Sequence, residues 1–344
     1  LMKLFKFFSQ EIAIDLGTAN TLVIQDGEVL IDQPSIIALN RRTRETVAVG
    51  QRAMLMHEKT HGNIETVRPL KDGVIADFDA AEKMIKGFIN MITSRRSFFS
   101  HMKMVICIPS GITEVEKRAV FDSADHVDSK ETYLIYEPMA AALGIGLDVE
   151  EPVGNMIIDI GGGTTEIAVI ALSGIVCDQS IRIAGDEFTL DIMNYLKKQH
   201  NLLIGERTAE QIKIKVGAAL TELESPPEDL AVNGRDLMTG IPKQIYVTFK
   251  EVAESLDKSI SKVEDAIMKA LEATPPELAS DIYQTGLYLT GGGALLRGLD
   301  KRISSKTKLP VHVAEDPLRA VVRGTGIALK NTDRFTFLID RRNN

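Results

Sequence analysis

Apolar positions along this chain follow two periods, an alternation of two and a helical repeat, and the periods take turns. Residues 12–24, Ile-Ala-Ile-Asp-Leu-Gly-Thr-Ala-Asn-Thr-Leu-Val-Ile, read as two apolar strands around a small polar turn. Asp26-Gly27 is a second turn signal, and 28–39 continues as strands. Helical spacing predicts helices over 79–93 and 114–126, with a strand from Met104 to Ile108 between them. A short strand at 132–136 leads into an Ala-rich helix over 138–147.

The pattern then restarts. Residues 156–170, Met-Ile-Ile-Asp-Ile-Gly-Gly-Gly-Thr-Thr-Glu-Ile-Ala-Val-Ile, repeat the strand–turn–strand form. Laid over the first copy, Ile14 matches Ile158, Asp15 matches Asp159, Gly17 matches Gly161 and Thr21 matches Thr165. Two Asp-x-Gly turns, each heading half of the chain, point to an internal duplication. Helices follow at 186–200, 208–220 and 250–273, interrupted by a loop at Pro226-Pro227 and a strand at 243–249. Pro275-Pro276-Glu277 starts another helix. A strand from Gly286 to Thr290, a triple glycine at 291–293 and a helix from Ala294 come next, then a strand at 311–314 and a helix over 318–330. Strands alternating with helices in both halves predict an α/β fold of two duplicated domains, each a sheet covered by helices.

The chain has 344 residues, enough for two domains. Lys and Arg number 40 against 48 Asp and Glu, a formal charge of -8. That balance argues against nucleic acid as a partner, since phosphates are repelled on average. Cys107 and Cys177 each sit in an apolar run and read as buried free thiols of a reducing compartment. The six His show no ligand spacing, no apolar run is long enough to span a bilayer, and no cleavable signal peptide is visible. The expected location is the cytosol.

Three turns carry the candidate chemistry: Asp15-Leu-Gly-Thr-Ala-Asn-Thr21, Asp159-Ile-Gly-Gly-Gly-Thr-Thr165 and Thr290-Gly-Gly-Gly-Ala294. Glycine lets several backbone N–H groups point into one concavity, which suits phosphate oxygens, and Thr and Asn add donors. The third turn is expected to join a strand to a helix N-terminus, a favourable place for an anionic group. The aspartate opening each of the first two could hold Mg²⁺, mostly through water. A P-loop motif and a G-x-G-x-x-G after the first strand are both missing, which counts against P-loop and dinucleotide folds. Each turn alone could equally be a tight glycine turn without a ligand.

These turns, with Glu137-Pro-Met-Ala-Ala-Ala-Leu-Gly144 and Thr290-Gly-Gly-Gly-Ala-Leu-Leu-Arg-Gly298, resemble the actin/Hsp70/sugar-kinase ATPase superfamily. Within it, Arg68-Pro-Leu-Lys-Asp-Gly-Val-Ile-Ala-Asp-Phe78, Ile204-Gly-Glu-Arg-Thr-Ala-Glu-Gln-Ile-Lys213 and Pro275-Pro-Glu-Leu-Ala-Ser-Asp-Ile282 are similar to the MreB family of bacterial actins, over about residues 11 to 330. The resemblance implies an actin-like fold. Residues 1–145 plus 318–344 would form one domain with a small insert near 33–76, and 146–317 the other with an insert near 182–247. It further implies ATP in a cleft between the halves. Gly17, Thr18, Ala19 and Asn20 would wrap the terminal phosphates from one side, and Gly161, Gly162, Gly163 and Thr164 from the other. Asp15 and Asp159 would serve Mg²⁺. Glu210 and Lys213 share a helix face that would meet ribose and adenine, with Gly291, Gly292, Gly293 and Ala294 opposite; on spacing alone they equally read as a solvated ion pair. Glu137 would orient the attacking water, helped by Thr164, and it also fits as a helix cap. One departure stands out. The family usually has Gly-Gly-Asp where this chain has Ala184-Gly185-Asp186, and the Ala184 methyl could crowd the nucleotide.

On a helical wheel Leu1, Leu4, Phe5 and Phe8 fall on one face and Lys3 and Lys6 on the other, the pattern of a short helix lying in a bilayer interface. Phe98 and Phe99 follow Arg95-Arg96 in an inter-element loop. Each buried Phe contributes roughly 1.5–3 kcal/mol, so a monomer would bind membrane weakly and a filament by avidity. The alternatives are a frayed terminus and core phenylalanines. Val115 is a candidate lateral contact. The expected function is an ATP-dependent polymerising protein, a slow ATPase whose filaments, in paired protofilaments, lie on the inner face of the membrane. Its partners would be the cell-wall elongation machinery and its transmembrane adaptors. A small-molecule kinase of the same superfamily is the competing reading.

Overall fold

The computed structural model describes residues 9–92, 101–127 and 129–340. The candidate membrane residues Leu1, Leu4, Phe5, Phe8, Phe98 and Phe99 lie outside them. The chain divides into two compact units. One comprises Leu1–Pro152, Ile170–Ile175 and Leu318–Asn344, the other Val153–Val169 and Val176–Pro317.

In the first unit six strands lie in the order Ile339–Asp340, Ser129–Tyr136, His101–Ile108, Ser9–Leu16, Asn20–Gln25, Glu28–Pro34. Ser9–Leu16, His101–Ile108 and Ser129–Tyr136 run parallel. Parallel neighbours need crossovers, and the helices Phe78–Ile92 and Glu114–Asp125 lie in the two connections. Thr113 and Glu116 close a capping box that starts the second of these helices. Met84, Ile85 and Phe88 bury the inner face of the first helix in one cluster with Ile12, Ile14, Met104 and Ile106 of the strands. An insert of three strands, Ile37–Asn40, Thr46–Val49 and Ile64–Val67, has a small core of its own around Ile36, Ala38 and Ala53.

Two helices of this unit, Glu137–Gly144 and Ala320–Lys330, cross at glycines. A Cβ on Gly144 would collide with the Ala320 carbonyl, and one on Gly324 with the Ala140 carbonyl. The backbones therefore touch with no side chain between them.

The second unit is built around five strands in the order Gly174–Ile181, Thr165–Ala171, Asn155–Ile160, Leu287–Thr290, Val311–Val313, of which only the hairpin end at 170–175 is counted with the first unit. Every residue of Asn155–Ile160 and Thr165–Ala171 is buried, as expected of strands covered on both faces. The helices Gly185–His200, Glu206–Val216 and Phe249–Ala273 share the core with them through Phe188, Ile192, Ile212, Leu256 and Ile260. The longest helix begins at a capping box of Thr248 and Glu251.

The structure departs from the sequence expectations in several places. The helix expected over 138–147 ends at Gly144, and that expected over 208–220 ends at Val216. Gly217 turns extended there, and Ala218 bridges to Arg297 instead of continuing the helix. The strands Gly174–Ile181 and Leu230–Asp236 were not expected, and the latter pairs with Pro242–Val247. The residues after the triple glycine form only a short 3-10 turn, Gly292–Leu295. The next α-helix, Leu299–Thr307, starts after Gly298, which takes a left-handed conformation.

Candidate functional site

In the first unit the Asp-x-Gly turn closes the antiparallel pair Ser9–Leu16 and Asn20–Gln25, in which Asp15 faces Leu22 and Leu16 faces Thr21. A Cβ on Gly17 would lie 2.7 Å from the Asn20 carbonyl oxygen, so only glycine lets the turn fold this tightly. Buried hydroxyls hold the turn from outside. Ser35 Oγ donates to the Gly17 carbonyl at 2.6 Å and lies 2.9 Å from Thr21 Oγ1. The Ser35 N–H donates to the Ala19 carbonyl. Thr18 Oγ1 accepts from the Gly73 N–H at 2.9 Å, so the buried Thr18 side chain braces the turn. Asp15 is half-buried and Asn20 exposed.

Register places Glu137 at the same edge of the sheet. Asp15 is level with Cys107 on the neighbouring parallel strand, and Cys107 is level with Ile135 on the next. Glu137 follows two residues later. Asp15 and Glu137 thus both lie at the carboxyl ends of parallel strands, the edge at which α/β sheets bind ligands. Glu137 is buried and is the first residue of its helix. Tyr136 occupies the N-cap position without a side-chain cap bond. A carboxylate in the first helical turn is favoured by the helix dipole.

In the second unit Asp159 is level with Thr290 on the parallel strand Leu287–Thr290. The Thr290 hydroxyl donates to Asp159 Oδ1 at 2.8 Å. Asp159 is only 4% exposed. Burial pushes its carboxyl up to about 6; the Thr290 hydrogen bond opposes the shift and the nearby Glu166 charge adds to it. Glu166 is itself fully buried and accepts from Ser180 Oγ at 2.6 Å.

The turn Gly161–Thr164 closes through the Gly161 N–H, which donates to the Thr164 carbonyl at 2.9 Å. The start of the helix Gly185–His200 clasps it from outside. The Gly185 N–H donates to the Gly161 carbonyl at 3.1 Å and the Asp186 N–H to the Gly162 carbonyl at 2.7 Å. Gly291, at φ 78, presses against the same strand end, and a Cβ there would meet the Ile160 carbonyl and lie 2.8 Å from Asp159 Oδ1. Gly293 leaves no room either, since its Cβ would strike Ile160. Ala294 is buried within the 3-10 turn.

Glu210 and Lys213 do form an ion pair, at 2.6 Å, in which Lys213 is mostly withdrawn from solvent and Glu210 is partly exposed. Lys213 Nζ also donates to the Gly185 carbonyl at 2.7 Å and to Thr189 Oγ1 at 3.0 Å. The Ala184 methyl does not lie free beside the turn. Ala184 is extended, at φ −159, and is packed into the apolar core of the unit.

Gly185, Thr189, Ser35, Gly73 and Glu166 are the contributors that sequence reasoning missed. Glu166 carried a signal, a lone charge inside an apolar strand. Thr189 stands four residues after Gly185, on one helix face. Nothing local marks Ser35 or Gly73, whose contacts span 18 and 55 positions.

The residues present fit a magnesium nucleotide. Each turn offers backbone N–H groups and one carboxylate, and the groups that act on the buried Asp159 include no cation, a counter-charge that Mg²⁺ would supply. Among the described residues no three His, Cys, Asp or Glu side chains converge on a metal position. Mg²⁺ would therefore rely on phosphate oxygens and water, as it commonly does.

Known proteins resemble this chain over nearly its whole length. The family model for MreB/Mbl protein matches residues 9–336. The cell shape-determining protein Mbl of Bacillus subtilis is 46% identical over 329 residues, covering 95% of this chain and 98% of that protein. The cell shape-determining protein MreB of Escherichia coli is 45% identical over 339 residues, covering 97% of each. The crystal structure of MreB5 of Spiroplasma citri bound to AMPPNP superposes with a TM-score of 0.90 at 37% identity, covering 95% of this chain and 97% of that one. The fold is that of the actin-like proteins, two α/β units grown from one duplicated motif. The chain belongs to the MreB/Mbl family.

Proposed function

We propose that this chain binds ATP with Mg²⁺, hydrolyses it slowly, and uses the cycle to regulate filaments that lie on the inner face of the cell membrane. An actin-like cytoskeletal role comes with the family. The rest rests on the residues. One observation carries the reading: an aspartate at the carboxyl end of a strand and, two residues on, a glycine whose Cβ position faces the carbonyl three residues later, at 2.7 Å for Gly17 and 3.3 Å for Gly161, built twice in one chain. The MreB5 structures with AMPPNP and with ADP support a nucleotide as the ligand.

In this reading the N–H groups of Gly17 to Asn20 and of Gly162 to Thr164 bind phosphate oxygens, while Gly161, its own N–H held by the Thr164 carbonyl, shapes the second turn. Glu210 holds the ribose side, and Gly291, Gly292, Gly293 and Ala294 line the base. Asp15 and Asp159 would hold Mg²⁺ through water, and the ion would supply charge neutralisation on the phosphates. Glu137 and Thr164 position the water that attacks, and the Glu137 carboxylate takes up its proton. Positioning of this kind is most of what phosphoryl transfer requires.

The filaments would form between copies of this chain as paired protofilaments, with the 80% exposed Val115 at a lateral contact. Leu1, Leu4, Phe5, Phe8, Phe98 and Phe99 would seat them on the inner membrane surface. No helix among the described residues is long and apolar enough to cross a membrane. The filaments would organise the cell-wall elongation machinery through its transmembrane adaptors and so maintain a rod shape. A small-molecule kinase is not favoured, because the family match runs through nearly the whole chain.

Electron microscopy of the purified protein with ATP and anionic lipid vesicles tests this reading, with phosphate release measured in parallel. Membrane-bound filaments and slow release are expected. Dispersed monomers with and without ATP would overturn the polymerising reading.

A further inference from the structure

The helix Glu206–Val216 carries Glu210 and Lys213 side by side, yet the two differ in what they have left to offer. The Glu210 side chain is 43% exposed and the Lys213 side chain 15%. An ammonium has three protons. Those of Lys213 are spent on the Gly185 carbonyl, Thr189 Oγ1 and Glu210. None remains for a nucleotide.

What Lys213 does hold is one rigid peptide plane. The carbonyl of Gly185 and the N–H of Asp186 belong to the same planar trans unit and point in opposite directions. Lys213 Nζ grips the carbonyl end at 2.7 Å. The other end donates to the Gly162 carbonyl, also at 2.7 Å. Hydrogen bonds in such a row polarise one another, so the ammonium charge strengthens the Asp186 donation at the far end. Gly185 adds a second strut by donating to the Gly161 carbonyl. The packing has no slack, since a Cβ on Gly185 would lie 3.2 Å from both the Gly161 oxygen and Lys213 Nζ. Thr189 completes the support, accepting from Lys213 while lying 2.8 Å from Glu210 Oε2.

We propose that Lys213 is a positioning residue, one that sets the Gly161–Thr164 turn through the Gly185–Asp186 peptide and makes no contact with the nucleotide itself. The inference rests on the nucleotide reading above and sharpens it. It joins the helix assigned to the ribose to the turn assigned to the terminal phosphates, leaving Glu210 as the nucleoside ligand.

Binding measurements on the full chain test it. ATP, ADP and AMP are titrated by calorimetry against the unaltered protein, Lys213→Met, Lys213→Arg and Gly185→Ala, with thermal melts of each variant in the absence of nucleotide. Lys213→Met is expected to weaken ATP and ADP about tenfold or more and to change AMP less than about twofold, because the loss falls on the terminal phosphates. Lys213→Arg recovers part of the loss. Gly185→Ala, which crowds both the Gly161 oxygen and Lys213 Nζ while keeping the charge, reproduces the split and serves if Lys213→Met does not fold. Equal weakening of all three nucleotides would make Lys213 a direct nucleoside ligand and overturn the proposal, as would unchanged binding of all three. If the unaltered protein bound none of them, the nucleotide reading itself would fail, a result distinct from either.

Discussion

The two Asp-x-Gly turns descend from one pattern and are held in place by different means. The first is braced mainly through side chains, the Ser35 hydroxyl reaching in to the Gly17 carbonyl and the turn's own Thr18 hydroxyl reaching out to the Gly73 N–H, with one backbone bond from Ser35 to Ala19. The second is clasped by backbone donors at a helix start, Gly185 and Asp186. Their aspartates differ in the same sense. Asp15 is half-buried, whereas Asp159 is sealed under Thr290 with a raised carboxyl. A hydroxyl brace can be lost by a single mutation, while a backbone clasp can only be loosened indirectly. Duplication therefore preserved the concavity and let its scaffolding diverge.

If chemistry resides with the first unit and tight binding with the second, substitutions should separate them. The largest effect is expected from Glu137→Ala. It should lower phosphate release roughly 100-fold or more while filaments and ATP binding persist, read by a phosphate-release assay beside pelleting. Unchanged release would remove Glu137 from the mechanism. Asp159→Asn should weaken magnesium-dependent ATP binding about 10–100-fold, and Asp15→Asn by less, as titrations would show.

The same Asp159→Asn variant should be more stable than the parent when nucleotide-free. The folded carboxyl titrates at about 6, above the ordinary 3.8. The folded state thus holds this proton more tightly than the unfolded chain. The resulting contribution is full below the ordinary value and lost as pH rises through about 6. Removing the charge should stabilise the protein at pH 7 by about 1–3 kcal/mol and flatten the pH dependence in urea denaturation. A parent whose stability rose from pH 5 to 7 with no change in slope on substitution would contradict the burial argument.

Ser35→Ala should cost about 1–2 kcal/mol and loosen only the first turn, since it strips a hydrogen bond from the Gly17 carbonyl. Amide exchange near Gly17, with the second turn as an internal control, checks the separation. Ala184→Gly is the smallest, about 1 kcal/mol of destabilisation with nucleotide affinity unchanged, because the methyl is core and not site. A gain in affinity would restore crowding as its role.

Much of this was readable beforehand where the signal is local. The acidic turns, the strand–helix order and Glu137 before a proline are each spelled out within a few residues. Gly174–Ile181 escaped because its half-buried residues lack a clean apolar alternation. Leu230–Asp236 lies in a polar stretch and owes its form to pairing with Pro242–Val247. The helix ending at Val216 stops where Gly217 turns away, a choice made by the later segment around Arg297. Lys213 and Glu210 show the limit best. Their spacing announced an ion pair, but the Gly185 carbonyl that gives the lysine its task lies 28 positions away.

The crossing of Gly144 and Gly324 has a bearing on Glu137 that distance conceals. The glutamate sits at the other end of the same short helix, about 10 Å along its axis at the usual rise per residue. Two bare backbones in contact behave as a mechanical stop, fixing how far that rod can slide or rotate. A single methyl at position 324 would shift the rod as a whole, and the displacement would surface at the glutamate's carboxylate. Residue 324 thereby calibrates the reach of a side chain it never touches.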